Sequence, residues 1–465
     1  MPRLAYLFPA FPVLHQTFTL GEVVGLKRKG YDLRLISLKR STARLQQPEG
    51  LELIAETLYC PRLLSVSMLA SFWRALRQRP GDVMRLFTRV VSAWRRRDVE
   101  PDDDADAAAG TTLSRGEKLL AVYHHSRYLY LAKSLVLVPY AIWIAERLQA
   151  EGIDHVHAHW ATYPTTAAML IKQWCGITYS FTAHAYDIYM ISRMLPAKLE
   201  AATFAVTCAD TNRRYLASLA PEAARDRLHV NYHGTDLGRF TPVESARGER
   251  YRVMSCGWLK EYKGFHILLD ALAMLVQRGV DVTLDLAGDG PQRPYLEAKC
   301  KDLGLVERVR FHGFLGHRDL LELYRNSDVF ALPSVVMGRY GRQDVIPNVL
   351  AEAMAVGIPV VGSNIGGVPE LIDDGENGLR VPERDAHALA DALERLWRHP
   401  DEARRLARAG REKVERIWDR DRNLDELAAL IDGYLEGRGR ADEIDGGADG
   451  QGTAGATRAA GPARG

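Results

Sequence analysis

The feature that most constrains this chain is its rhythm. Strand-like apolar runs alternate with helix-like patterns over most of its 465 residues, and that alternation is the mark of parallel α/β sheets built from crossover units. In the first half strands are predicted in RLAYLFP, YDLRLISL, HVHAHWA, YSFTAHA, FAVTCA and LHVNYHG. In the second half they are YRVMSCGWL, VTLDLAGDG, VRFHGFL, DVFALPS and IPVVGSN, with helices such as FHILLDALAMLVQRG and RDLLELYRNS between them. The stretch GRFTPVESARGERYR between the halves is polar and without periodicity. Two doubly wound α/β domains joined near residue 245 are expected, and the length has room for them.

Composition excludes some classes. Hydrophobic residues make up 47% and charged residues 26%, ordinary for a globular protein, and a net charge of +2 does not suggest a nucleic-acid partner. Five cysteines, at 60, 175, 208, 256 and 300, are odd in number and lack ligand spacing, so a reducing compartment and no structural zinc are expected. The opening MPRLAYLFPAFPVLHQ lacks the pattern of a secretory leader and is expected to form the first strand. The most apolar window, Ser134 to Ala145, falls well short of the roughly 20 residues that span a bilayer, so no transmembrane helix is expected.

Two segments interrupt the plan. Residues 61–97 carry nine arginines and one acid among Leu, Phe, Trp, Val and Met at helical spacing. They suit an anionic membrane surface, or equally a helical hairpin packed on the first domain with arginine outward. The following DVEPDDDADAAAGTT reads as a solvated loop, and the basic helical insertion is placed at about 61–125. Beyond Glu436 the tail has one large aliphatic residue, Ile444, and residues 436–465 are expected to be disordered.

Chemistry concentrates in loops at predicted strand ends, where open α/β sheets bind ligands. GRQDVIPNVLAEAMAVGIPVV sets Asp344 and Glu352 around a short helix with Pro347 suited to its first position and Gly357 to its end. The helix is apolar nearly all round except at Asn348 and Glu352. A carboxylate there needs a hydrogen-bond donor, an arginine or a ligand, and the start preceded by Ile346 lacks a good cap and can face an anion. CGWLKEYKGF offers Lys260 and Lys263 to a phosphate. NIGGVPE, with Gly366 and Gly367, is either a second backbone approach to a ligand or a turn. HVHAHW aligns His155, His157 and His159 on one strand face without by itself supplying metal geometry. FTAHAYDIY places His184 and Asp187 at a strand end.

In this order, FPVLHQTF with Glu22, HAHWA, TAHAYDIY, NYHGTDLGRF, GWLKEYKGF, LAGDGP, VRFHGFL and DVIPNVLAEAMAVGIPVVGSNIGGVPELI resemble glycosyltransferase family 4 over residues 3 to about 435. The resemblance implies a retaining enzyme of the GT-B fold, two Rossmann-like domains facing a cleft, similar to enzymes of exopolysaccharide and surface-glycan synthesis. It implies an acceptor-binding domain at 1–245, a nucleotide-sugar domain at 246–415, and a helix at 416–435 crossing back. By this resemblance Glu352 accepts from the ribose hydroxyls, and Asp344 and His184 stand at the donor sugar as catalytic candidates. Lys263 holds the diphosphate beside the backbone of Val345, Ile346, Pro347, Asn348 and Val349, with Lys260 a donor-side candidate to replace the family's missing arginine. His15, Thr17, His159 and Asp187 are acceptor-side candidates.

Three departures from the family pattern touch these pockets. Trp258 stands where arginine is usual, Asp344 with Val345 where Glu-Gly is common, and His15-Gln16-Thr17-Phe18 where related chains read SETF. The expected reaction moves a hexose from a nucleoside diphosphate sugar to a glycan or lipid-linked oligosaccharide hydroxyl, with no cofactor and no metal. The expected setting is cytoplasmic, peripheral on the inner membrane face. A weakly catalytic glycan-binding scaffold, or another enzyme on the same fold such as an epimerase, stays open.

Overall fold

The computed structural model describes residues 3–13, 17–41, 48–96, 126–190, 193–242, 250–337 and 344–445. Two parallel sheets organise it. The first contains β1 (Leu4–Phe11), β2 (Leu33–Arg40), β3 (Leu58–Tyr59), β4 (His155–His159), β5 (Thr178–Ala183), β6 (Ala205–Thr207) and β7 (Leu228–Val230), in the order β3-β2-β1-β4-β5-β6-β7. The second contains β8 (Tyr251–Cys256), β9 (Val282–Ala287), β10 (Val309–Gly313), β11 (Val329–Leu332), β12 (Val360–Ser363) and β13 (Leu379–Val381), in the order β10-β9-β8-β11-β12-β13. Each order reverses once, between β1 and β4 and between β8 and β11. At such a switch point crossover helices leave on opposite faces and open a crevice at the strands' carboxyl ends.

The strands expected from the sequence are present. Edge strands β3 and β13 were not anticipated, since segments of two and three residues are too short to show an alternation. The linker expected near residue 245 lies outside the described residues.

The basic insertion forms a helical hairpin, Val66–Gln78 and Pro80–Arg95. Met68, Ala75, Val83, Leu86, Val90 and Ala93 face inward and join the first domain's core. The helix Arg127–Ala150 beside it is twice as long as its apolar window and carries Pro139 inside it. By length and composition alone it could cross a membrane, but half of its most apolar 18-residue stretch is buried. It packs against the hairpin and the helix Tyr163–Cys175, burying Leu137, Val138, Ile142, Ile144 and Leu148.

The last helix, Arg420–Asp445, lies on the first domain rather than the second. Leu424, Leu427, Ala428 and Ile431 complete a core with Leu20, Val23, Leu26 and Leu33. The disorder expected from residue 436 is corrected as far as Asp445, because a helix already nucleated and packed upstream propagates through residues that could not start one.

Candidate active site

In the second domain the site is assembled at the ends of β8 and β11. The chain leaves β8 through Gly257 and a 3-10 turn, Glu261–Lys263, that ends on Gly264 with φ +69°. A Cβ at Gly264 would stand 1.8 Å from the Pro333 carbonyl oxygen. Only glycine lets the Lys263 loop lie this close to the end of β11.

Lys263 Nζ donates to Asp344 Oδ1 at 2.9 Å, and the Ser334 hydroxyl donates to Asp344 Oδ2 at 2.7 Å. Both charged side chains are mostly shielded, at 12% and 14% exposure. Burial pulls the Lys263 ammonium down, but Asp344, Tyr262 and Cys256 outweigh it and hold its pKa above the usual lysine value. Lys263 therefore keeps its charge despite its burial.

The helix Asn348–Val356 begins immediately beyond. Pro347 is its N-cap rather than its first residue, and no side chain caps it. Gly357 ends it in the left-handed conformation, φ +84°. Among the described residues no arginine meets Glu352: the donor is Tyr324, whose hydroxyl reaches Glu352 Oε2 at 3.1 Å and the Val349 carbonyl at 3.2 Å. Burial pushes the Glu352 carboxyl up to about 7, against the Tyr324 hydrogen bond and Arg239. Lys260 Nζ sits 4.0 Å from the centre of the Trp258 ring, a cation–π geometry.

The first domain handles its polar residues differently. Strand register sets His155 opposite Thr178, His157 opposite Ser180 and His159 opposite Thr182. His155 bonds Thr178 and Ser180, and His157 bonds Ser180 and Thr182, all at 2.7–2.8 Å. Glu22 Oε1 takes Tyr6 OH at 2.8 Å and His159 Nε2 at 3.1 Å. Burial pushes the Glu22 carboxyl up, yet His159, His157 and Tyr6 together hold it down at about 2.

At the carboxyl ends of β4 and β5 lies an aromatic cluster. Trp160 has φ +76°, a strained conformation for a bulky residue, and its ring lies tilted at 45° with its centre 4.4 Å from that of His184. His184 also approaches Phe18 and His233, each at 5.1 Å between ring centres. Both its ring nitrogens are buried without a partner among the described residues. Burial, then His233, His159 and His157, hold it well below the usual histidine pKa, so it is neutral. Asp187 fixes this turn by accepting from the Ala161 and His184 amides. Lys198, fully buried, donates to the Tyr130 hydroxyl and the Ala161 and Arg193 carbonyls.

Among the described residues two triads bring their ligand atoms within 4.8 Å of one another, His184–Cys208–His233 and Glu22–His157–His159. Both have zinc-type donors. The second is already committed to internal hydrogen bonds.

The site residues expected from sequence thus divide. Asp344, Lys263, Glu352 and the segment Pro347–Val349 gather in one place, with Lys260 on Trp258 beside them. Val345 and Ile346 turn their side chains to the first domain, packing on Cys208, Ala209 and Ala185. His184 lies near that seam. His159 and Asp187, expected on the acceptor side, are buried: Asp187 accepts from two backbone amides, while His159 meets Glu22 through Nε2 and its Nδ1 has no partner among the described residues. His15 lies outside the described residues, as does the side chain of Thr17. Of NIGGVPE, the turn alternative fits the structure: Gly366 has φ +54° and the Gly367 amide bonds the Val345 carbonyl at 2.8 Å. Ser334, Tyr324 and Lys198 were missed. Only Tyr324 left a trace, a tyrosine on the inner face of an amphipathic helix, whose hydroxyl would need a partner.

Residues 240–413 match the family model described as "Glycosyl transferases group 1". The chain is 35% identical over 209 residues to the putative colanic acid biosynthesis glycosyltransferase WcaL of Escherichia coli K12, covering 44% of this chain and 51% of that one. It is 31% identical over 236 residues to the GDP-mannose-dependent alpha-(1-6)-phosphatidylinositol monomannoside mannosyltransferase of Mycobacterium tuberculosis CDC 1551, covering 49% and 60%. The chain thus spans about half the length of the curated relatives it matches. In structure it resembles the sucrose-phosphate synthase of Thermosynechococcus elongatus, with a TM-score of 0.64 and 19% identity over 94% of this chain and all of that one. The fold is GT-B.

Proposed function

We propose, from the premise that a group 1 glycosyl transferase domain occupies the second half of a GT-B fold, that this protein is a retaining hexosyltransferase of exopolysaccharide or surface-glycan synthesis. The donor is a nucleoside diphosphate sugar and the acceptor a hydroxyl of a glycan or lipid-linked oligosaccharide. The observation that carries this reading is the Lys263–Asp344–Ser334 cluster beside an uncapped helix start, with Glu352 one turn inside that helix.

The two diphosphate charges draw Lys263 toward them, and the N–H groups of the helix start add donors where the leaving charge develops. Asp344 is then released to the sugar hydroxyls while Ser334 keeps it oriented. Glu352, raised by burial, ionises when the ribose hydroxyls donate to it. Neutral His184 offers an uncharged donor or acceptor to the sugar from the opposite domain. The departing phosphate takes the acceptor proton, so this scheme needs neither a metal nor a separate base.

The first helix of the hairpin, Val66–Gln78, leaves Val66, Leu69 and Trp73 exposed on one face, next to Leu64 and close in sequence to Arg62 and Arg77. We read this patch as the contact with an anionic bilayer on the cytoplasmic side. Co-sedimentation with phosphatidylglycerol vesicles at low salt, lost on Trp73→Glu, is the expected result.

Titration calorimetry with UDP, GDP and ADP tests the donor assignment. Binding of one of them, weakened at least about ten-fold by Glu352→Ala, is expected, and an unchanged affinity would remove Glu352 from the site. A scaffold reading draws support from the closed Lys263–Asp344 pair. It predicts no nucleotide binding and no hydrolysis of any sugar nucleotide.

A further inference from the structure

The helix Asp210–Leu219 begins just past the carboxyl end of β6. Its N-cap is Ala209, which has no side chain to accept from the free N–H groups of the first turn. The acceptor comes from the other domain. Glu370, in the short helix Val368–Leu371, accepts from the Asp210 amide at 2.7 Å and from the Thr211 amide and hydroxyl, both at 2.8 Å. The Tyr232 hydroxyl adds a fourth bond at 3.1 Å. The Asp210 carboxylate, which would repel Glu370, is neutralised by Arg213 and Arg214.

The Glu370 loop is also fixed to the donor side. Besides the Gly367–Val345 hydrogen bond, a Cβ on Gly367 would stand 2.6 Å from Ile346 Cγ1. Val345, adjacent to Asp344, packs on Cys208 and Ala209, the two residues before Asp210. One compact seam therefore joins Asp344, Glu370 and the strand ends that carry His184.

We propose that Glu370 is a positioning residue that sets the closed register of the two domains, capping the first-domain helix from the second domain so that His184 is held opposite Asp344 and Lys263. A carboxylate suits this task because all four partners are donors and the helix start is electropositive, so the contact is strong when formed and leaves hydrated groups when broken. The proposal deepens the transferase reading and rests on it only where turnover is the readout.

The test uses the full chain carrying Glu370→Ala or Glu370→Gln. Small-angle scattering should give a compact wild type, with or without UDP or GDP, and a larger radius of gyration with a broader distance distribution for both variants. With a sugar nucleotide and acceptor that turn over, kcat should fall about ten-fold or more while calorimetric nucleotide affinity changes less than two-fold. Should Glu370→Ala fail to fold, the near-isosteric Gln variant carries the comparison. Wild-type scattering and unaltered kcat in a folded variant would overturn the proposal. An opened variant of a wild type that neither binds nor turns over any sugar nucleotide would leave the positioning intact and defeat the transferase reading instead.

Discussion

The two sheets share one strand order and its switch point, yet their carboxyl edges are chemically unlike. The first domain ties many of its buried polar groups into internal networks, His155 and His157 on a ladder of hydroxyls, Glu22 between Tyr6 and His159, Asp187 on backbone amides, and leaves the His184 ring over. The second keeps a mostly shielded cation and acid together with a helix start, balanced by one another rather than by the core. The same topology can therefore serve as a rigid wall in one copy and as a charged, ligand-responsive pocket in the other. What distinguishes the two is whether the charges at the switch point are already satisfied.

Substitution separates the two most sharply. Lys263→Ala should lower kcat/KM about a hundred-fold or more, because the diphosphate loses its cation in a partly dehydrated site, while circular dichroism reports an intact fold. Activity that survives would break the contrast. Glu22→Gln should do the reverse. Weakening a buried charged network costs about 2–3 kcal/mol of stability, read as a lower urea midpoint, while activity per folded molecule is retained.

The pH responses should carry opposite signs. Burial holds His157 at about 3 and His233 at about 4, below the usual 6.5. The unfolded chain then binds protons the folded one refuses, and this stability, complete above pH 6.5, is lost as pH falls toward 4. At pH 5 each imidazole accounts for up to about 2 kcal/mol. Glu352, raised from 4.5 to about 7, is protonated longer in the folded state, so its burial costs stability as pH rises through that window. Nucleotide affinity should climb about ten-fold from pH 6 to 8 as the carboxylate becomes available to the ribose, and Glu352→Gln should flatten that rise. Calorimetry at both pH values reads the slope.

The smallest expected effect concerns Trp258. Trp258→Arg, which supplies the guanidinium usual in the family, should tighten nucleotide binding about three-fold at low salt and less at high salt. A looser complex would mean that the Trp258–Lys260 pair is itself the phosphate contact.

Much of this was legible. Runs of alternating and periodic apolar residues placed the long strands and most helices, and Gly357 marked a helix end by the one backbone conformation it favours. The apolar helix around Glu352 announced that a buried carboxylate needed a donor, but could not say that Tyr324, 28 positions earlier, would reach it. His159 and Asp187 looked available because they stand at the ends of predicted strands, where open α/β sheets bind ligands. Their burial depends on helices packed over the sheet from distant parts of the chain.

By itself the sequence determined the two doubly wound domains and the cluster of ligand-seeking residues after β8 and before Asn348–Val356, since periodicity and strand-end chemistry are local properties. Only the tertiary structure decided which polar residues are satisfied internally and which remain for a substrate, that the last helix completes the first domain's core, and that Glu370 caps a helix of the opposite domain. Each of those outcomes is a hydrogen bond or an apolar contact between residues far apart in sequence, and such pairings follow from packing rather than from pattern.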